Sequence, residues 1–243
     1  MKLKAATRSR NMPVYPALAE VEEHSIAMGA ALRAAGLHSK TVSSIRTKAL
    51  KTGRKVTGLY ATNRDPRWEL DPGHPQYGTE IDCKIIFVKL CAQIFCFDNA
   101  PAIPHELTRV AQHIKELGPN LKQICEEQYL GHEIIAGTFR DSLLLERFDF
   151  EDLRQEGLTP VHGHSSFHLG HENPSLTPRH RPDNIAWRTF RSNLIQGNMT
   201  LRQSRIYFVK LIGRYFDLGE IHIPGEALPA PQEDIAVIAE AQE

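Results

Sequence analysis

Residues 165–201, SSFHLGHENPSLTPRHRPDNIAWRTFRSNLIQGNMTL, bring three histidines and four asparagines into one short stretch. Each type suits one part of the hydrolysis of an anionic ester. Imidazole titrates near neutral pH and can take a proton from water. A carboxamide is donor and acceptor at once, so it can bridge backbone groups and fix a neighbour's orientation. Amide and carboxylate oxygens suit a hard divalent cation, Mg²⁺ or Mn²⁺, which polarises a phosphate and stabilises a leaving oxygen.

The local signals say how these groups are held. SSFHLGH alternates and predicts a strand ending near His171. NPSLTPRHRPDN carries three prolines and predicts a loop. NIAWRTF is β-branched and aromatic, a second short strand. SNLIQGN begins on Ser192 as a cap and predicts one or two helical turns. A ββα unit of about 35 residues is too small to hold itself together without a metal or a host domain.

On these residues the stretch resembles the HNH (ββα-metal) endonuclease family. The matching positions are His171 in GHENP, Asn184 in RPDNIAW and Asn193 in RSNLIQGN, at spacings of 13 and 9 residues. The ending Asn193-x-x-Gln196-Gly197 is similar to the close of that family's helix. The likeness spans residues 160 to 210, roughly, and not the N-terminal part. It implies that His171 is the general base, that Asn184 bridges loop backbone groups and orients the imidazole, and that Asn193 gives an oxygen to Mg²⁺ or Mn²⁺. Members of the family usually place an Asp or His, a further metal ligand, immediately before the catalytic histidine; Gly170 stands there in this chain. His168 and Glu172 lie two residues either side of it, on the same strand face, and are the candidates to replace that ligand.

Arg188, Arg191, Arg202 and Arg205 flank the motif, and guanidinium forks suit phosphate oxygens. Charge is segregated along the chain although its net value is zero. Residues 1–55 hold 11 Lys/Arg against 3 Asp/Glu and residues 179–214 hold 8 against 1, while residues 56–178 hold 10 against 18 and residues 215–243 hold none against 7. Two basic blocks could form one phosphate-facing surface, or two solvated faces that never meet. The basic run 39–55 is open to the same two readings, and a solvated helix is preferred. His162-x-His164 is similar to the His-x-His of two-zinc hydrolases, but Ser166 and Phe167 stand where an Asp-His pair is expected.

The rest of the chain reads as support. Residues 16–36 predict a helix closing on Gly36, with a second over the basic run capped by Ser39, and residues 62–78 a long ordered loop. The most apolar window, 83–97, is broken by Lys84 and Lys89 and reads as buried helix or strand, not a membrane span. Further helical patterns run over 104–118 and 121–137. The apolar stripe at 201, 208, 211, 212, 215 and 216 is expected to pack on the N-terminal part. Four cysteines without a C-x-x-C pair fit reduced thiols in a cytoplasmic protein.

The fold class expected is α+β. A flexible basic N-terminus, 1–14, precedes a mainly helical domain, 15–155, available for target recognition. The HNH-like unit with its following helix covers 156–217, and an acidic mobile tail covers 218–243. The function expected is metal-dependent cleavage of double-stranded DNA by a restriction-type enzyme, with a homodimer for cutting both strands. A nicking or homing nuclease of a mobile element, or a nucleic-acid-binding protein whose site has decayed at Gly170, are the alternatives.

Overall fold

The computed structural model describes residues 15–53, 64–107, 109–159 and 165–221. The basic residues 1–14, His162, His164 and the tail from 222 onward lie outside the described residues. Helix α1 (Leu18–Ala34) is followed by Gly36 at φ +102°, a backbone conformation that favours glycine and turns the chain into α2 (Ser39–Leu50). The cap of α2 is His38 and not Ser39: its imidazole accepts the Lys40 N–H. Strand β1 (Lys51–Gly53) pairs antiparallel with β2 (Arg64–Pro66), and a 3-10 turn, Arg67–Glu69, follows. The ambiguous apolar window is a helix, α3 (Glu80–Ile94). Thr79 caps it by accepting from Asp82 N–H, and Glu80 and Asp82 suit its first turn.

The next stretch is less helical than its pattern suggests. Helix α4 (Gln112–Leu117) is one short piece of residues 104–118. Helix α5 (Leu121–Ile124) runs into a π-helical turn, Cys125–Leu130, that stops at left-handed Gly131. Helix α6 (Phe150–Leu158), capped by Asp149, leads to β3 (Phe167–His171), β4 (Ile185–Thr189), α7 (Phe190–Gln196) and α8 (Leu201–Asp217). The molecule is therefore a helical N-terminal region followed by a small β/α region in strand–strand–helix order.

The chain divides into two compact units, one through Leu201 and one from Arg202. In the first unit, one apolar core joins Val21, Met28 and Leu32 of α1 and Ile86 and Phe87 of α3 to Phe167, Ile185 and Trp187 of the β3–β4 hairpin. Phe97 sits among Phe148, Phe167 and Trp187 with ring centroids 5.0, 6.2 and 6.3 Å away. The Trp187 indole donates to the Leu90 carbonyl at 2.9 Å, so a tryptophan can be buried without leaving its N–H unsatisfied. Lys89 of α3 donates to the carbonyls of Pro182 and Ile185 and ties down the loop before β4. The helical region is thus the host that so small a hairpin needs. The four cysteines are buried and free. No helix among the described residues is long and apolar enough to cross a membrane.

The second unit holds α8 from Arg202 onward. Of its apolar stripe, Phe208 and Leu211 are half-buried, whereas Ile212, Tyr215 and Phe216 are exposed, as are Ile206 and Val209.

Candidate active site

The register of the hairpin sorts the motif residues onto two faces. Leu169 pairs with Trp187, Gly170 with Ala186 and His171 with Ile185. Side chains alternate along a strand, so Phe167, Leu169 and His171 share a face with Ile185 and Trp187. His168 and Gly170 share the opposite face with Arg188, against α7.

His171 is held from two directions. The Asn184 side chain, 2% exposed, donates to the carbonyls of Asn173 (3.0 Å) and Arg179 (2.8 Å) and accepts from Asn173 N–H (2.7 Å). Its own carbonyl accepts from Glu172 N–H at 2.9 Å, next to His171 in the chain. From α7, the Gln196 amide donates to the carbonyls of His171 (2.8 Å) and Met199 (3.0 Å). These bonds fix the backbone on which His171 stands and do not engage the ring, whose Nε2 is buried with no hydrogen-bond partner. Burial first, then the Arg179 and Arg67 charges, push the His171 pKa down to about 4. The ring is neutral at pH 7.

The other face is filled differently. A Cβ at Gly170 would lie 2.2 Å from Arg188 Cγ and 3.0 Å from Asn193 Oδ1, so no side chain fits there while Arg188 keeps its place. Arg188 and Asp141 are both fully buried, with Nη1 3.6 Å from Oδ1. Asp141 also accepts from the N–H groups of Leu143, Leu144 and Thr189 and from the Ser192 hydroxyl. Arg188 therefore supports the start of α7 from inside. The expectation that it contacts a nucleic-acid backbone is corrected, because its guanidinium is sealed from solvent against a carboxylate. Arg191 is exposed on α7; Arg202 and Arg205 are exposed on α8, in the second unit.

The expected metal ligands make no closed set. Asn193 turns Oδ1 toward Gly170 while Nδ2 donates to the Leu169 carbonyl at 3.3 Å. His168 donates through Nε2 to the Ser165 carbonyl at 2.9 Å and its ring lies against Phe190, so that nitrogen is committed to its proton. Glu172 is half-buried just past the strand. Among the described residues no group of three His, Cys, Asp or Glu side chains is placed to hold an ion. The residues present do not fit a complete cation site.

The face bearing His171 opens instead onto a cleft of about 880 Å³ between the hairpin and the α2–β1–β2 segment. Lys40, Lys48, Lys51, Arg64 and Arg67 line it, with one acid, Glu156. The basic run preferred as a solvated helix thus turns Lys40 and Lys48 toward the histidine. Lys48 donates to the Phe167 carbonyl at 3.2 Å, and burial lowers its pKa. Arg67, only 8% exposed, donates to the Gln76 carbonyl and side-chain oxygen and to the Lys48 carbonyl. Its Nε has no partner, and burial brings its pKa down to about 10. His180, 2% exposed, donates to the Ala49 carbonyl at 2.6 Å; burial and then Arg67 push its pKa to about 3.

Arg67, His180 and Asp141 are the residues that the motif did not reveal. The sequence did carry a trace of each wall, in the basic run of α2 and the Gln-Gly ending of α7. The sequence matches no family model and, among curated proteins, no relative. Among solved structures the fold is similar to that of a type II restriction endonuclease, with a TM-score of 0.50 and 15% identity over 74% of this chain and 78% of that one. At that identity the likeness is one of fold.

Proposed function

We propose that the chain is a restriction-type endonuclease that hydrolyses phosphodiester bonds in double-stranded DNA, with His171 as its general base. The observation that carries this reading is a neutral imidazole with an uncommitted Nε2, standing on a backbone that Gln196 and the Asn184 loop hold, in the lining of a cleft rich in cations. In this reading Nε2 takes a proton from water as its oxygen attacks phosphorus, and the leaving 3′ oxygen acquires the negative charge. Asn184 and Gln196 are positioning residues: they hold the backbone on which His171 stands. The lysines and arginines of the cleft offset the charge of the DNA. The resemblance to HNH enzymes and the restriction-endonuclease likeness of the fold both favour this class of reaction.

Divalent-cation use belongs to the same reading. A Mg²⁺ or Mn²⁺ ion would have Asn193 Oδ1, Glu172 and His168 as its donors, His168 through Nδ1, since its Nε2 proton is held by the Ser165 carbonyl. A homodimer acting in the cytoplasm is the assembly and location that fit cutting of both strands. A second reading, a DNA-binding protein whose nuclease site has decayed, is favoured by one observation: Arg188 occupies the space that a ligand at position 170 would need.

Cleavage of supercoiled plasmid and phage DNA with Mg²⁺, with Mn²⁺ and with EDTA tests the proposal, comparing the native chain with His171→Ala. Discrete fragments, reduced about 10²- to 10⁴-fold in the variant, are expected. A smear lost in the variant keeps the nuclease and removes sequence specificity. DNA binding without cutting under any condition sinks the enzyme and leaves the decayed site.

A further inference from the structure

Arg67 is a buried cation without a counterion. Its three hydrogen-bond acceptors are two carbonyls and an amide oxygen, all neutral. Among the described residues no carboxylate forms an ion pair with it. The ionisable group nearest it in effect is the Cys83 thiol, which burial keeps protonated, and the next are Arg179 and Arg64, of the same sign as Arg67. A buried charge left uncompensated carries a standing penalty, which an arriving anion removes.

The excess continues outward. Lys48 stands beside Arg67 through its own carbonyl, and Lys51 and Arg64, both exposed, lie on the paired strands β1 and β2. One phosphate needs one or two cations; a line of them along one cleft suits a chain of phosphates. We infer that Arg67 anchors a backbone phosphate of a nucleic-acid strand beside His171, and that Lys48, Lys51 and Arg64 carry the rest of that strand along the cleft. The anion's identity rests on the nuclease reading above. The planar fork of Arg67, with an N–H still unused, suits a phosphodiester oxygen better than an ammonium would.

The test is fluorescence anisotropy with the full chain carrying His171→Ala, which removes turnover. The probes are a labelled 20-mer duplex and its single strand over a salt series. Lys51→Gln with Arg64→Gln, both at exposed positions, is expected to weaken binding at least fivefold. It should also lower the slope of log K against log salt by the equivalent of about two phosphate contacts, roughly 0.9 each. Arg67→Gln is expected to weaken it at least tenfold and Arg67→Lys less, the latter showing that the fold tolerates change there. Tighter capture of either probe supports the inference and identifies the form the cleft takes. Unchanged binding in the Lys51/Arg64 and Arg67 variants overturns it, above all if Arg191→Glu or the Arg202/Arg205 pair then loses binding. If the native chain cuts no DNA but the cleft variants lose binding, the nuclease reading fails and the anchor stands. If the native chain cuts DNA and binding in these variants is unchanged, the anchor fails and the nuclease stands.

Discussion

The two faces of the β3–β4 hairpin differ by one residue in register and almost completely in design. On the cleft face, His171 keeps a free nitrogen among cations that have few acids to satisfy them. On the α7 face, Arg188 and Asp141 stand as an ion pair in the dry interior, 3.6 Å apart, and Gly170 gives Arg188 its room. One face is charged and open, the other charged and closed. A motif in sequence order therefore need not converge on one point. His171 and Asn193 lie on opposite sides of β3, and the rest of the molecule brings cations to the first side and a buried carboxylate, Asp141, to the second.

The closed face breaks most easily. Arg188→Ala leaves the Asp141 carboxylate buried without its cation, and loss of one partner of a buried pair costs about 3–5 kcal/mol. Urea denaturation should show that loss, with DNA binding per folded molecule unchanged. Unaltered stability would mean that the four neutral donors to Asp141 are sufficient alone.

The open face carries a pH dependence. The His171 and His180 pKa values in the folded chain, about 4 and about 3, lie below the ordinary histidine value near 6.5. The unfolded chain therefore binds more protons in this range. The stability they contribute is fully present above pH 6.5 and drains as pH falls toward 4. Between pH 7.5 and 4.5 the expected loss from the two together is on the order of 5 kcal/mol. Arg67→Gln should shrink the loss, since Arg67 bears on both rings. Equal stability at the two pH values would show that water reaches both histidines.

Gly170→Asp sharpens the contrast at a smaller scale. Read from the sequence, that change restores a missing ligand. In the fold it drives a Cβ to 2.2 Å from Arg188 Cγ, and overpacking of this kind costs about 1–3 kcal/mol. Thermal unfolding should fall for Gly170→Ala as well as for Gly170→Asp, with no gain in Mg²⁺-dependent cutting. A gain in cutting would mean that Arg188 yields and the metal side is merely blocked.

Why part of this was legible is a matter of range. The order of strand, loop, strand and helix follows from alternation, prolines and a cap within a few residues of each other. Asn184 bridges carbonyls and an N–H within its own loop, which an amide at that place can do without help from elsewhere. The fate of Arg188 depends on Asp141, and the environment of His171 on Arg67; both partners lie far upstream and join only through the core. No local pattern carries that pairing, so Arg188 read as a surface cation.

Asn193 offers the smallest and most selective change. Its bond to the Leu169 carbonyl, at 3.3 Å, is long, so Asn193→Ala should cost less than about 1 kcal/mol of stability. Its oxygen is a donor that the α7 face still offers to an ion. If Mg²⁺ acts there, the variant needs a higher Mg²⁺ concentration for half-maximal cleavage while the acid limb set by His171 stays where it was. If cleavage and its Mg²⁺ dependence are both unchanged, the chemistry belongs wholly to the cleft face. The two faces would then have parted company, one keeping the reaction and the other only the fold.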